Sequence, residues 1–167
     1  MLLVGPRLVL RPFLLTDEDA LHAFASDPAV TRYTDWGPND RAATQAFLAE
    51  ATVPQDDAAL FAVTVDGAVI GSAGVTVDSR QHARASFGYV LARGAWGCGY
   101  ATEAAALLRD HAFEAMAVHR LEATCRPDNL ASARVLEKTG LVREGRLRDH
   151  VLVRGEWCDS LLYALVR

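Results

Sequence analysis

The sequence predicts an α+β domain in three layers, with four helices on a mixed, mostly antiparallel sheet of about seven strands. Three observations carry that prediction. Short alternating or β-branched runs recur seven times, against four stretches of helical period. Two-residue turn signals, Asp66-Gly67 and Arg154-Gly155, join neighbouring runs as hairpins. A strand, a glycine loop, a helix and another strand then follow in the middle of the chain, which is one β-α-β unit.

The elements follow in order. Arg7 to Leu15, "RLVLRPFLL", alternates and suits a strand. The next stretch opens with Thr16 three residues before Asp19, as a capping box does, and sets Leu21, Phe24 and Ala25 on one helical face before Pro28. A second helix is expected from about Asn39 to Ala51, ahead of Pro54. "ALFAVTV" and "AVIGSAGVTV" flank the first hairpin, and "ARASFGYVLA" is a third strand of that group. From Gly99 to Met116 the chain reads as a helix with Ala101, Ala104, Ala105, Leu108 and Ala112 on one face. "HRLEATC" is a short strand, and "NLASARVLEKTG" is a helix with Asn129 near its start and Gly140 as its cap. Two closing strands flank Arg154-Gly155.

At 167 residues, without a linker, repeat or low-complexity stretch, the chain reads as a single domain spanning 1–167. Its formal charge of −4 argues against a nucleic-acid partner. No apolar run is long enough to span a bilayer, so no membrane role is expected and a cytoplasmic location is the default. Three cysteines, Cys98, Cys125 and Cys158, stand far apart with no CxxC pair, which argues against both a disulfide framework and a zinc site. No metal is expected.

"RGAWGCGYATEA", Arg93 to Ala104, places Gly94, Gly97 and Gly99 between a strand and a helix. A helix N-terminus offers unpaired N–H groups and partial positive charge, and glycines let an anion approach the main chain. The loop is therefore either a bare turn or an anion cradle. A Walker A loop needs Gly-Lys-Ser/Thr, but the only lysine is Lys138. A dinucleotide fingerprint starting at Gly97 would need its third glycine where Thr102 stands, and it belongs to the first crossover of a parallel sheet. Glu122 lies at roughly the acidic position of such a fingerprint, which makes it a decoy.

"FGYVLARGAWGCGYATEAAALLRDHAF" followed by "NLASARVLEKTGL" resembles the acetyl-CoA-binding core of the GNAT N-acetyltransferase superfamily. "RLVLRPFLLTDEDALHAFASDPAVTRY", G-x-L-R and W-x-D extend the resemblance to the branch of ribosomal-protein N-terminal alanine or serine acetyltransferases. The resemblance implies the acyl-CoA N-acyltransferase fold and acetyl-CoA as co-substrate. Main-chain groups around Val90 and Leu91 would bond the pantetheine arm, and the N–H groups of Gly97, Cys98, Gly99, Tyr100, Ala101 and Thr102 would hold the pyrophosphate. A homodimer is common among such relatives.

The same resemblance implies direct attack by an amine in a ternary complex, without an acyl-enzyme. The acceptor would be a primary amine, either a protein N-terminus or a small molecule. Many members place a tyrosine acid seven residues after the asparagine that opens the last helix; here that position is Leu136, which cannot donate. The branch's N-x-x-S pattern instead sets Asn129 against the pantetheine arm and Ser132 facing the sulfur as the catalytic donor. Either residue could equally serve only the helix start. Where relatives often carry a glutamate base, this chain has Ser86. His82, which would share a strand face with Ser86, and His150 and Asp149 are candidate replacements. Glu103 reads as a complement to the helix dipole. Tyr33 and Trp36 are candidate walls for the acceptor, and Trp157 and Asp159 read as packing and a structural hydrogen bond. The departures at Ser86 and Leu136 leave open a non-catalytic acyl-CoA-binding or sensory module.

Overall fold

The computed structural model describes residues 1–167. The strands are β1 (Leu3–Val4), β2 (Val9–Arg11), β3 (Ala58–Val65), β4 (Ala68–Ser79), β5 (Arg84–Leu91), β6 (Arg120–Cys125), β7 (Val142–Val153) and β8 (Glu156–Val166). The helices are α1 (Glu18–Ala25), α2 (Arg41–Ala51), α3 (Tyr100–Ala115) and α4 (Leu130–Lys138). The strands make one sheet in the order β1-β2-β3-β4-β5-β6-β8-β7. Only β5 and β6 run parallel; every other pair is antiparallel. The sheet thus holds eight strands, the additional one being the two-residue β1.

Alternation along the strands sorts the core into two faces. Phe61, Val63, Val75, Ala85, Phe87, Leu121 and Tyr163 pack on the α3–α4 side, against Ala104, Ala105, Leu108, Ala112 and Leu136. Ala62 points the other way, into a smaller cluster with Phe13, Leu21, Phe24 and Leu48 beneath α1 and α2. The three layers follow from these two apolar faces of one sheet.

Several local expectations are corrected. The first strand is shorter than Arg7 to Leu15, ending at Arg11, because Pro12 has no N–H to extend the ladder. Thr16 does not form a capping box with Asp19. Residues Leu15–Asp17 make a short 3-10 turn instead, and the Asp17 carboxylate accepts from the Leu14 N–H at 2.8 Å and from Arg11 at 2.7 and 2.8 Å. The second helix starts at Arg41 rather than about Asn39, with Asp40 capping it by accepting the Ala43 N–H at 2.7 Å. His82 lies in the turn before β5, so strand parity with Ser86 does not apply to it.

The feature that positions the site is the short β5–β6 pairing. It covers only Arg84↔Arg120, Ala85↔Leu121 and Ser86↔Glu122. Beyond that point β5 stays paired with β4, and β6 with β8. The two strands therefore separate toward Leu91 and Cys125, and the sheet opens into a cleft.

Candidate active site

The cleft is the inner end of a cavity of about 590 Å³. Val90 and Leu91 from β5, Gly97, Gly99, Tyr100, Ala101 and Thr102 from the glycine loop, and Asn129 and Ser132 from the start of α4 all line it. Tyr33 closes it on the side of the α1–α2 connector. Three expected residues lie outside it. Cys98 is exposed, with Sγ turned to the Trp96 carbonyl at 3.5 Å. Trp36 is 39% exposed on the connector, and the Ser86 hydroxyl donates to Asp78 Oδ1 at 3.0 Å.

Glycine is required at the loop for a reason of backbone geometry. Gly97 has φ +74° and Gly99, the residue preceding α3, has φ +82°. The loop pairs none of the N–H groups of residues 97 to 99, and those of residues 100 to 102 are the first turn of α3, which has no partner within the helix. None of the six donates to a protein acceptor, and the first helical bond runs from the Glu103 N–H to the Gly99 carbonyl at 3.2 Å. Six consecutive free donors at a helix start form a nest for an anion. The Leu91 carbonyl, by contrast, already accepts from Trp96 Nε1 at 2.8 Å.

Glu103 is no free base. Burial alone would raise its pKa, but the Arg7 N–H and guanidinium and the Leu8 N–H hold the carboxyl below its usual range. It fastens the start of β2 to α3 and sets Arg7 beside the loop, where Nη1 donates to the Cys98 carbonyl at 2.9 Å. Arg126, Arg134 and Lys138 also line the cavity, and Arg126 Nη1 is buried without a partner. These four cations were missed in the sequence. They converge from residues 7, 126, 134 and 138, and nothing in their spacing announces it.

Asn129 caps α4: its Oδ1 accepts the Ser132 N–H at 3.2 Å. The Ser132 hydroxyl lies 3.1 Å from that of Tyr89, which reaches across the cleft from β5. Burial pushes the Tyr89 phenol up to about 12. Leu136 is 1% exposed in the core, so no side-chain donor stands at that position.

Glu122 was read only as a dinucleotide decoy, yet it pairs in register with Ser86 at the apex of the cleft. Paired residues of parallel strands share a face, and here it is the face opposite α3 and α4, since Ala85 and Leu121 point toward those helices. Arg120 Nε holds the Glu122 carboxylate at 2.5 Å. His150 and Asp149 lie on β7: His150 Nδ1 is 3.0 Å from the Ser160 hydroxyl, and the Asp149 N–H donates to Asp159 at 2.9 Å. Asp159 also takes Arg146 at 2.6 Å, a structural role at an irregularity of β7. Trp157 is 63% exposed and does not pack.

No helix is long and apolar enough to cross a membrane, and no three His, Cys, Asp or Glu side chains gather as metal ligands would.

Comparison with known proteins agrees with this architecture. The chain is 32% identical to the uncharacterized N-acetyltransferase p20 of Bacillus licheniformis over 166 residues, covering 96% of this chain and 93% of that one. Among solved structures, a GNAT-family acetyltransferase from Bacillus anthracis superposes with a TM-score of 0.91 at 30% identity, covering 99% of this chain and 98% of that one. Mycobacterium smegmatis RimJ, in complex with CoA-disulfide, superposes with a TM-score of 0.84 at 29% identity, over 95% and 81% of the two chains. The family model described as an acetyltransferase (GNAT) domain matches residues 7–142. With four-fifths of its length inside that model, the chain belongs to the GNAT acetyltransferase family.

Proposed function

We propose that the protein transfers the acetyl group of acetyl-CoA to a primary amine by direct attack in a ternary complex. The observation that carries this reading is a row of six free N–H groups at the mouth of a cleft whose inner wall holds Ser132. An anion nest at that position suits a pyrophosphate, and the parted strands suit a narrow arm that must bond main chain. The donor's arm runs past Val90 and Leu91 to Asn129 and Ser132. The acceptor approaches from the other face of the sheet, past Tyr33, Trp36 and Ser86.

Attack of the amine nitrogen on the thioester carbonyl forms the C–N bond and breaks the C–S bond. The electron pair stays on sulfur, where the Ser132 hydroxyl donates to it. Asp78, beside Ser86, suits a cationic amine and offers an acceptor for its proton. The acceptor we favour is a protein N-terminal α-amino group, ahead of a small-molecule amine such as a polyamine. A cytoplasmic location goes with this reading, because three unpaired thiols suit a reducing compartment.

Thiol release from acetyl-CoA, followed with a panel of N-terminal peptides and small amines, tests the proposal. Turnover on a member of the panel is expected. Tight acetyl-CoA binding with no turnover on any amine would favour the non-catalytic binding or sensory module instead.

A further inference from the structure

Within the acetyl-transfer reading, Tyr89 has no assigned part, although its hydroxyl meets that of Ser132. Tyr89 sits on β5, on the wall opposite α4, and lines the same cavity as Ser132. Its hydroxyl, 3.1 Å from Ser132 Oγ, spans the cleft between the two walls. Ser132 Oγ makes no other hydrogen bond in the protein, while its N–H is held by Asn129 at 3.2 Å. The serine is thus fixed from both sides, at its backbone by the cap and at its hydroxyl by the phenol.

The direction of the hydroxyl bond follows from acidity. A phenol ionises near pH 10, and an aliphatic alcohol only far above that. The phenol is therefore the better donor and the serine oxygen the better acceptor. With Tyr89 donating, the serine's own hydrogen is released to point into the cleft. Burial keeps the phenol protonated across the neutral range.

We propose that Tyr89 is a positioning residue that aims the Ser132 hydroxyl hydrogen at the departing sulfur, supplying from β5 the phenol that α4 lacks at Leu136. As the C–S bond breaks and its electron pair stays on sulfur, the Ser132 hydroxyl hydrogen-bonds to the forming thiolate, while Tyr89 keeps its own proton and holds the serine oxygen. The amine nitrogen loses its proton to water, CoA leaves as thiolate and is protonated in solution, and Ser132 and Tyr89 end as they began.

Tyr89→Phe keeps the ring and removes only the hydroxyl. The expected result is a kcat about 10-fold lower, with the KM for acetyl-CoA within about two-fold of the parent. Ser132→Ala combined with Tyr89→Phe is expected to be no slower than Ser132→Ala alone, because the phenol acts only through the serine. Parental kcat in Tyr89→Phe, or a double variant slowed by the product of the two single effects, overturns the proposal. A merely structural tyrosine would give that second result. A crystal structure with CoA supplies a readout apart from turnover: Ser132 Oγ should lie between Tyr89 Oη and the sulfur. That arrangement in a protein that acetylates no amine would sink the acetyltransferase reading and leave the hydrogen-bond chain standing. Ser132 turned away from Tyr89 in an active enzyme would sink the chain alone.

Discussion

The two ends of the cleft are built from different materials. At the end proposed for the donor, the free groups are main-chain N–H groups, set by two glycines and the start of α3, all within residues 97 to 102. At the acceptor end the connector between α1 and α2 is held by side chains from elsewhere. Arg154, at the tip of the β7–β8 hairpin, donates through Nη2 to the carbonyls of Thr31 at 2.8 Å, Gly37 at 2.9 Å and Trp36 at 3.3 Å. A backbone nest depends on φ and ψ and tolerates change in the surrounding side chains. A loop latched by a distant side chain, as well as by its own contacts, is open to change at the latch. That difference suits an enzyme with one donor and an adaptable acceptor.

The sharpest way to break the comparison is at Gly99. A β-branched residue there would have to hold φ +82°, which costs roughly 1–2 kcal/mol, and its Cβ would stand 3.3 Å from Arg7 Nη2. If the N–H row is the donor site, Gly99→Val should weaken acetyl-CoA binding by about 100-fold by calorimetry. The KM for the amine, read at saturating acetyl-CoA, should change little. A variant that spares acetyl-CoA and loses the amine would invert the assignment of the two ends.

An effect of similar size is expected at the anchor of the α1–α2 lobe. Asp17, 6% exposed, is held below the ordinary carboxylate range first by its hydrogen bonds from Arg11, with the Leu14 N–H adding to them. A folded-state pKa below the unfolded one contributes stability that is present above the unfolded value, near pH 4. That contribution is lost as pH falls through the folded value. Asp17→Ala leaves Arg11 without its partner, a loss of about 3 kcal/mol at neutral pH. Urea unfolding at a series of pH values should show this gap closing below about pH 4. A gap that persists in acid would mean that packing, not the ion pair, holds the lobe.

The same contrast explains what could be read from the sequence. Gly97 and Gly99 announced the nest, because a positive φ at a helix start is a local demand that only a few residue types meet. Asn129 and Ser132 were legible for a similar reason: a cap and the residue three positions on meet within one turn. The alternation along β3 and β5 gave the layers, because which face a side chain takes depends on the strand alone. What stayed hidden is long-range. The three cations of the cavity, Arg126, Arg134 and Lys138, and the pairing of Ser86 with Glu122 arise only once the chain is folded and the strands are in register. Asp17 was passed over for Thr16 because its partner, Arg11, sits on a strand rather than within the helix turn.

Arg154 is the smallest and most discriminating test. The connector it holds is also fitted from within: Gly37, at φ +72°, lets Thr31 approach so closely that a Cβ there would lie 2.7 Å from Thr31 Cγ2. Thr31 is itself fully buried, with its hydroxyl on the Asp27 carbonyl at 3.2 Å. Losing Arg154 therefore should not unfold the connector. It leaves the Gly37 carbonyl to water, while Thr34 still donates to the carbonyls of Thr31 and Trp36, and it lets the wall carrying Tyr33 and Trp36 shift. Arg154→Ala should raise the KM for the amine by about five-fold, while the KM for acetyl-CoA stays within about two-fold. Equal rises in both constants would show that the hairpin tip also shapes the donor end. No change in either would mean that the amine never touches the connector, and that its path lies along β6 and β8.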